Sequence, residues 1–397
     1  MISQRQLFLR HIAQTSSTPL MLEIERAEGV YMYTPDGKQY IDLIAGISVS
    51  NLGHCHPEVV AAVCRQASRY MHLMVYGEFV HTPQVALAQL LCDRLPTALD
   101  NVYFVNSGAE AVEGALKLAK RYTGRSELVA FRNAYHGSTN GAMSIMGSDF
   151  FTQAYRPLLP DVKHLTYNNF DDLDQITSRT ACVVVEPVQA EAGVIVPQAG
   201  FFEQLRRRCT EVGALLVLDE IQTGYGRTGA LFAFQKLGIE PDILLTAKGM
   251  GGGLPLGAFI ASRQIMSVLQ HNPILGHITT FGGNPVSCAA SLATLQVLLR
   301  EDYIAQIPQK EALFRQYLQH SRIKNIRSCG LLMAVELDAD FDFLLHTVHR
   351  CIERGLLTDW FLFADNCLRI APPLIITPAQ IEQACSIILE SLDSQHR

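Results

Sequence analysis

Three apolar runs in this chain each end on a residue that can do chemistry. Ile243-Leu244-Leu245-Thr246-Ala247 ends on Lys248 and is followed at once by Gly249-Met250-Gly251-Gly252-Gly253. Ala214-Leu215-Leu216-Val217-Leu218 ends on Asp219, and Ala181-Cys182-Val183-Val184-Val185 ends on Glu186. Short apolar runs bounded by polar or turn-forming residues read as buried strands. Side by side, they deliver an amine and two carboxylates to the edge outside the carboxyl ends of the strands, where open parallel sheets bind ligands. A lysine at a strand end ordinarily snorkels to solvent along its own stem. The neighbouring acids and the glycine-rich turn argue instead for a rim that keeps it. An amine for a Schiff base, an aspartate for a pyridinium nitrogen and a phosphate-sized turn describe a site for pyridoxal 5′-phosphate.

Further segments can complete such a site. Asn106-Ser107-Gly108-Ala109-Glu110 falls between a strand and a helix. Ser107 and Glu110 have capping-box spacing, so the segment reads as a well-ended helix, and equally as a phosphate seat built from the Gly108 and Ala109 N–H groups at the positive end of the helix. Phe131-Arg132-Asn133-Ala134-Tyr135-His136-Gly137 follows another strand; its aromatic is either core or a plate that stacks on a cofactor ring. Asp219-Glu220-Ile221-Gln222-Thr223-Gly224 would set Gln222 within reach of a ring hydroxyl. His277-Ile278-Thr279-Thr280-Phe281-Gly282-Gly283-Asn284-Pro285 offers hydroxyl donors ahead of a helix, or is simply a tight loop.

The elements that must hold these residues are legible as an α/β pattern. Residues 21–25, 30–33 and 40–42 read as an antiparallel meander with a Pro35-Asp36-Gly37 turn. Helices are expected at 57–72, 84–95, 109–122 and 285–299, and the 109–122 helix presents Ala111, Ala115, Leu118 and Ala119 on one face. Strands are expected at 102–105, 128–131, 164–165, 258–261 and at the three runs above. Alternation of this kind implies a mainly parallel sheet covered by helices on both faces. Strands at 331–336 and 367–370 belong to a smaller α+β unit. The expected division is an N-terminal segment 1–45 joining the small domain, a large cofactor-binding domain 46–294, and a C-terminal small domain 295–397.

At 397 residues and 48% hydrophobic the chain exceeds the usual size of a single core. A net charge of −6 gives no basic footprint, so nucleic acid is not an expected partner. No apolar stretch is long enough to cross a bilayer, so no membrane partner is expected either. Ten scattered cysteines suit free thiols in a reducing compartment, and the cytoplasm is the expected location. His54-Cys55-His56 has no second ligand cluster, and no metal is expected. The first acidic residue is Glu23, which gives residues 1–20 a flavour of a transit peptide; Leu7, Phe8, His11 and Ile12 favour instead a helix packed on the body or on a partner subunit.

Taken in order, Ser107-Gly108-Ala109-Glu110-Ala111, Glu186-Pro187-Val188-Gln189-Ala190-Glu191-Ala192-Gly193, residues 218–229, Ala247-Lys248-Gly249 and Thr279-Thr280-Phe281-Gly282-Gly283-Asn284-Pro285 resemble the motif set of the class III pyridoxal-phosphate-dependent aminotransferases. The resemblance covers residues 19–374. Within that family Asn51-Leu52-Gly53-His54-Cys55-His56-Pro57 is most similar to the acetylornithine/ornithine aminotransferase branch. The resemblance implies a fold-type-I PLP-dependent transferase, working as a homodimer in which Thr280 reaches the neighbouring subunit's cofactor. It also implies catalysis by Lys248 and Asp219, and cofactor contacts from Ser107, Gly108, Ala109, Tyr135, His136, Glu186, Asp219, Ile221, Gln222, Lys248 and Thr280. Arg369 then grips a substrate carboxylate, and Glu191 is the gate that pairs with it when a terminal amine is the donor. The implied reaction moves an amino group from a terminal-amine donor such as acetylornithine or ornithine to 2-oxoglutarate by a ping-pong route through a Lys248 Schiff base, as in arginine biosynthesis.

Ser138 departs from the pattern. Ornithine, acetylornithine and aminobutyrate members usually carry arginine directly after the His-Gly or equivalent pair, where it binds the donor's remote carboxylate. Here Gly137 is followed by Ser138-Thr139, and Arg132 is expected to point elsewhere. The alternatives are a PLP-dependent isomerase of the same family (an aminomutase or amino-acid epimerase), an omega-amine or beta-amino acid transaminase, and a non-enzymatic descendant. The Glu191 and Arg369 pair favours two-substrate transamination, and the full set of catalytic residue types argues against loss of activity.

Overall fold

The computed structural model describes residues 3–393. The chain begins with helix Gln4–His11, capped by Ser3, and an antiparallel meander of β1 (Arg26–Glu28), β2 (Tyr31–Tyr33) and β3 (Gln39–Asp42). The N-terminal helix forms, but it buries none of its residues within the chain. The first strand lies later than the sequence pattern suggests, at 26–28 rather than 21–25. Its partner β2 runs straight into the turn at Pro35-Asp36, so beyond the Glu25 N–H bond to the Tyr33 carbonyl, residues 21–24 have no backbone to pair with.

The centre is a seven-stranded sheet of β4 (Asn101–Val105), β5 (Glu127–Phe131), β6 (Val162–Leu165), β7 (Thr180–Val185), β8 (Leu215–Asp219), β9 (Ile243–Thr246) and β10 (Gly257–Ala261), in the order β4-β10-β9-β8-β7-β5-β6. Only β10 runs against its neighbours, so the sheet is mainly parallel. The unbroken apolar strands have a direct cause: both faces are covered. Val183, Leu216 and Leu244 enter one core, whereas their chain neighbours Cys182, Val184, Val217 and Leu245 enter the other. Helix Gly108–Thr123 seals the second core with Ala111, Ala115, Leu118 and Ala119, all fully buried. Helices Phe201–Val212 and Pro285–Arg300 seal the first.

The remaining strands are β11 (Ile323–Cys329), β12 (Leu332–Leu337), β13 (Leu356–Leu357), β14 (Trp360–Phe361) and β15 (Ala364–Ile370). Four of them make an antiparallel sheet, β11-β12-β15-β14, and β13 instead pairs in parallel with β3 through Leu356 opposite Ile41. Strand β11 escaped the sequence reading because Lys324, Asn325, Arg327 and Ser328 interrupt its apolar pattern; it is held by a six-residue register on β12. Among the described residues no helix is long and apolar enough to cross a membrane.

Candidate active site

Strands β7, β8 and β9 end side by side, with Val185 opposite Leu218 and Asp219 opposite Leu245. Their last residues and those just beyond line one cavity of about 480 Å³. Ser107, Gly108, Ala109, Tyr135, His136, Glu186, Asp219, Ile221, Gln222 and Lys248 all border it, joined by Val49, Asn106, Gly137, Ser138, Thr223 and the Gly253–Leu256 turn. Lys248 leaves the strand with a positive φ of 46°, unusual for a residue with a side chain. That twist turns its stem into the cavity, where Nζ donates to Gln222 Oε1 at 2.9 Å. Burial pushes the Lys248 ammonium below its usual range, opposed by Glu191 and Asp219, so the neutral amine is the more accessible form here than in water.

Asp219 is 4% exposed and doubly held. His136 Nδ1 lies 2.7 Å from Oδ2, and the Ile221 N–H donates to Oδ1 at 3.0 Å. Burial alone would drive the His136 imidazolium down; the Asp219 bond and charge, with Glu186 behind them, outweigh it and hold it above its usual value. Glu186 accepts from the Tyr135 N–H at 3.1 Å and the Ala190 N–H at 3.0 Å, and burial pushes its carboxyl up to about 7. At the other end, Ser107 caps helix Gly108–Thr123 by accepting from the Glu110 N–H at 3.2 Å. Glu110 does not return to Ser107: its carboxylate takes the N–H of Asn106 at 2.9 Å and that residue's amide at 2.8 Å. The first-turn N–H groups of Gly108 and Ala109 therefore face the cavity with no helical carbonyl before them. Gly137, at φ 126°, lets the Tyr135-His136 turn sit against this helix start, because a Cβ there would meet Ala109 at 2.6 Å.

Arg369 and Glu191 form a second, drier cluster. The guanidinium meets the carboxylate through both arms, Nη1 to Oε1 at 2.8 Å and Nη2 to Oε2 at 3.0 Å, with both residues under 5% exposed. For Glu191, burial raises the carboxyl and Arg369 more than reverses it, leaving it below the usual carboxylate range. Thr280 stands apart: it is exposed and outside the cavity lining, while Thr279 turns inward to Asn106 at 3.1 Å. Arg132 is exposed and also off the cavity.

The sequence and the fold resemble those of known proteins. The aminotransferase class-III family profile matches residues 12–392. This chain belongs to the class III aminotransferases. The family makes it a PLP-dependent transaminase. It is 37% identical to an acetylornithine aminotransferase of Methanothermobacter thermautotrophicus over 394 residues, 96% of each chain. It is 39% identical to one from Methanopyrus kandleri over 370 residues, 92% of each. Its fold overlays an ornithine aminotransferase from Toxoplasma gondii with a TM-score of 0.89 at 31% identity, covering 97% of this chain and 93% of that one. A second solved relative, adenosylmethionine-8-amino-7-oxononanoate aminotransferase from Methanocaldococcus jannaschii, gives 0.90 at 28% identity over 98% of each.

The cavity of this class III aminotransferase suits the cofactor its family uses. Buried His136 Nε2 and Gln222 Nε2 border the cavity without a hydrogen-bond partner in the protein, at a rim that also carries a carboxylate, an amine and a helix start. When bound, pyridoxal phosphate supplies an electron sink for the carbon that loses or gains a proton. Sequence reasoning named Gly253 within the glycine-rich turn but missed Val49, Leu254, Pro255, Leu256 and Asp359. The last carried no signal in the sequence: the β14–β15 hairpin, with Trp360 opposite Leu368, is what sets Asp359 beside Arg369.

Proposed function

We propose that this class III aminotransferase moves an amino group from a terminal primary amine to a 2-oxo acid, 2-oxoglutarate in the first instance, in two alternating half-reactions. The observation that carries the reading is the buried two-armed pair of Glu191 and Arg369 beside the Lys248 cavity. A guanidinium fork fits one carboxylate at a time. With Glu191 on the fork, an amine without a neighbouring carboxylate can react; with Glu191 displaced, the carboxylate of an amino or oxo acid takes its place. That alternation is what a two-substrate transfer requires.

Lys248 is the attachment point and then the proton carrier, since its amine is held at the cavity by Gln222 and is shifted toward the neutral form by burial. Asp219, with His136 behind it, presents its carboxyl group at the ring-nitrogen end, and Glu186 fixes the Tyr135 turn by its backbone. The Ser107-Gly108-Ala109 helix start takes the phosphate. Acetylornithine as donor is supported by the 37–39% identity to acetylornithine aminotransferases, and ornithine by the 31% identity to an ornithine aminotransferase. Ser138 modifies it: with no cation there, the donor's far end is held less by charge than in an arginine-bearing relative.

The active unit is a homodimer. Thr280 lies on an exposed stretch with Ile278 and Phe281, beside a groove of about 690 Å³ along β4, and Val80 and Ile274 are also strongly exposed nearby. Such a surface suits a second copy of the chain, which would bring Thr280 to its neighbour's phosphate. Unpaired cysteines throughout support a reducing cytoplasmic setting.

The test is a panel of amines mixed with the holoenzyme without an acceptor, following the cofactor's absorbance. Terminal amines should convert it in a single turnover and 2-oxoglutarate should restore it. Lys248→Ala should lower turnover by roughly 10⁴-fold or more. A Lys248→Ala enzyme that turns over at the wild-type rate, or a cofactor that returns unchanged with every amine as an isomerase's would, sinks the reading.

A further inference from the structure

Arg369 has more partners than Glu191. Its Nε donates to Asp359 Oδ1 at 2.8 Å, and Nη2 also donates to the Trp360 carbonyl at 2.7 Å. The guanidinium carbon lies 4.3 Å from the centre of the Phe361 ring. Backbone bonds fix the same contact: the Arg369 N–H donates to the Asp359 carbonyl at 2.9 Å, and Thr358 Oγ1 donates to the Arg369 carbonyl at 2.7 Å. The two carboxylates therefore divide the guanidinium between them. Glu191 occupies the fork of Nη1 and Nη2, and Asp359 occupies Nε.

The division matters because only one of the two can leave without losing the arginine. A long flexible side chain stripped of its sole carboxylate would be free to swing, and the fork would have to be re-formed each time a substrate arrived. We propose that Asp359 is the positioning residue of the carboxylate subsite, holding Arg369 by Nε while Glu191 and a substrate carboxylate exchange on the fork. This rests on the exchange reading of Glu191 given above. The exchange is then neutral in charge: one carboxylate departs as another enters, and Asp359 stays. Burial pushes the Asp359 carboxyl up to about 6, with Arg369 opposing and Glu191 and Asp42 adding to it. Contact with Arg369 is thus the interaction that keeps this carboxylate charged in its pocket.

The experiment compares Asp359→Ala, Asp359→Asn and Arg369→Ala holoenzymes with wild type in separate half-reactions. The amino form is titrated with 2-oxoglutarate, the starting form with a diamine that has no carboxylate, and unreactive glutarate is titrated as a competitor to read binding without turnover. Asp359→Ala should raise KM for 2-oxoglutarate and the glutarate inhibition constant by about tenfold, with the diamine half-reaction within about twofold. Asp359→Asn, whose amide oxygen still accepts from Nε, should restore both to within about threefold. Equal losses toward the diamine and the oxo acid, a loss in Asn as large as in Ala, or an unchanged glutarate constant in Ala would overturn the role. If Arg369→Ala leaves the oxo-acid KM untouched, the exchange reading itself is what fails.

Discussion

Arg227 and Arg369 are both nearly inaccessible to solvent, and they keep opposite company. Arg227 donates to the carbonyls of Leu331 (3.1 Å) and Pro372 and to Asn51 Oδ1 (2.6 Å), with no ion pair among the described residues. Burial pushes it down to about 9. Arg369 sits between Glu191 and Asp359, and there burial's downward push is more than offset, so its charge is held above the ordinary range. The first arginine ties three distant pieces of chain through partners that are mostly backbone and cannot leave. The second is bonded mainly to two side-chain carboxylates, one of which, under the function proposed above, a substrate replaces. Burial alone therefore does not separate the two arginines; the kind of partner each keeps does.

The comparison can be broken most severely at Arg227. Arg227→Leu strands two carbonyls and an amide oxygen, and should cost about 3–5 kcal/mol in a denaturant melt while leaving the donor-to-acceptor preference of the folded enzyme unaltered. A loss below about 1 kcal/mol would mean that Arg227 is no tie. Glu191→Ala tests the other side. It should shift half-reaction preference from terminal amines toward α-amino acids by about tenfold, roughly 1.4 kcal/mol, because the fork is then permanently open. Unchanged donor ratios would remove the gate. The smallest effect concerns buried acids that make no ion pair among the described residues. Glu186 and Glu220 are both pushed up by burial from the ordinary carboxyl value of 4.5 to about 7. A carboxyl whose folded value is raised destabilises the fold progressively as pH climbs from its unfolded value to its folded one, so cofactor-free protein should lose stability from about 4.5 to about 7. Glu220→Gln should flatten that slope in urea melts at stepped pH; an equally steep slope would mean that Glu220 is not one of its sources.

The sequence made the rim of the sheet legible because strand ends are simple. An apolar run stops where burial stops, so Lys248, Asp219 and Glu186 announced themselves by being the first charged residues after one. Fold class followed from the same runs. What stayed hidden depended on pairing rather than on pattern. The direction of β10 is not written in Ala258–Ala261, since a strand buried on both faces reads alike either way. Residues 21–24 alternate well enough for a strand and lack one because β2 turns away. Asp359 is one more polar residue until the hairpin sets it against Arg369. Thr280 could be named from the motif, but nothing within one chain brings it to the cavity.

The parallel bridge between β3 and β13 has a consequence for how the protein is made. Ile41 leaves the ribosome about 315 residues ahead of Leu356, its partner. At about 5–20 residues per second, translation separates them by roughly 15–60 s. For that interval the edge of the N-terminal meander has nothing to zip against, an invitation to stray strands or to a chaperone. A nascent chain released before Leu356 would carry its opening segment unanchored, however complete the central sheet had become.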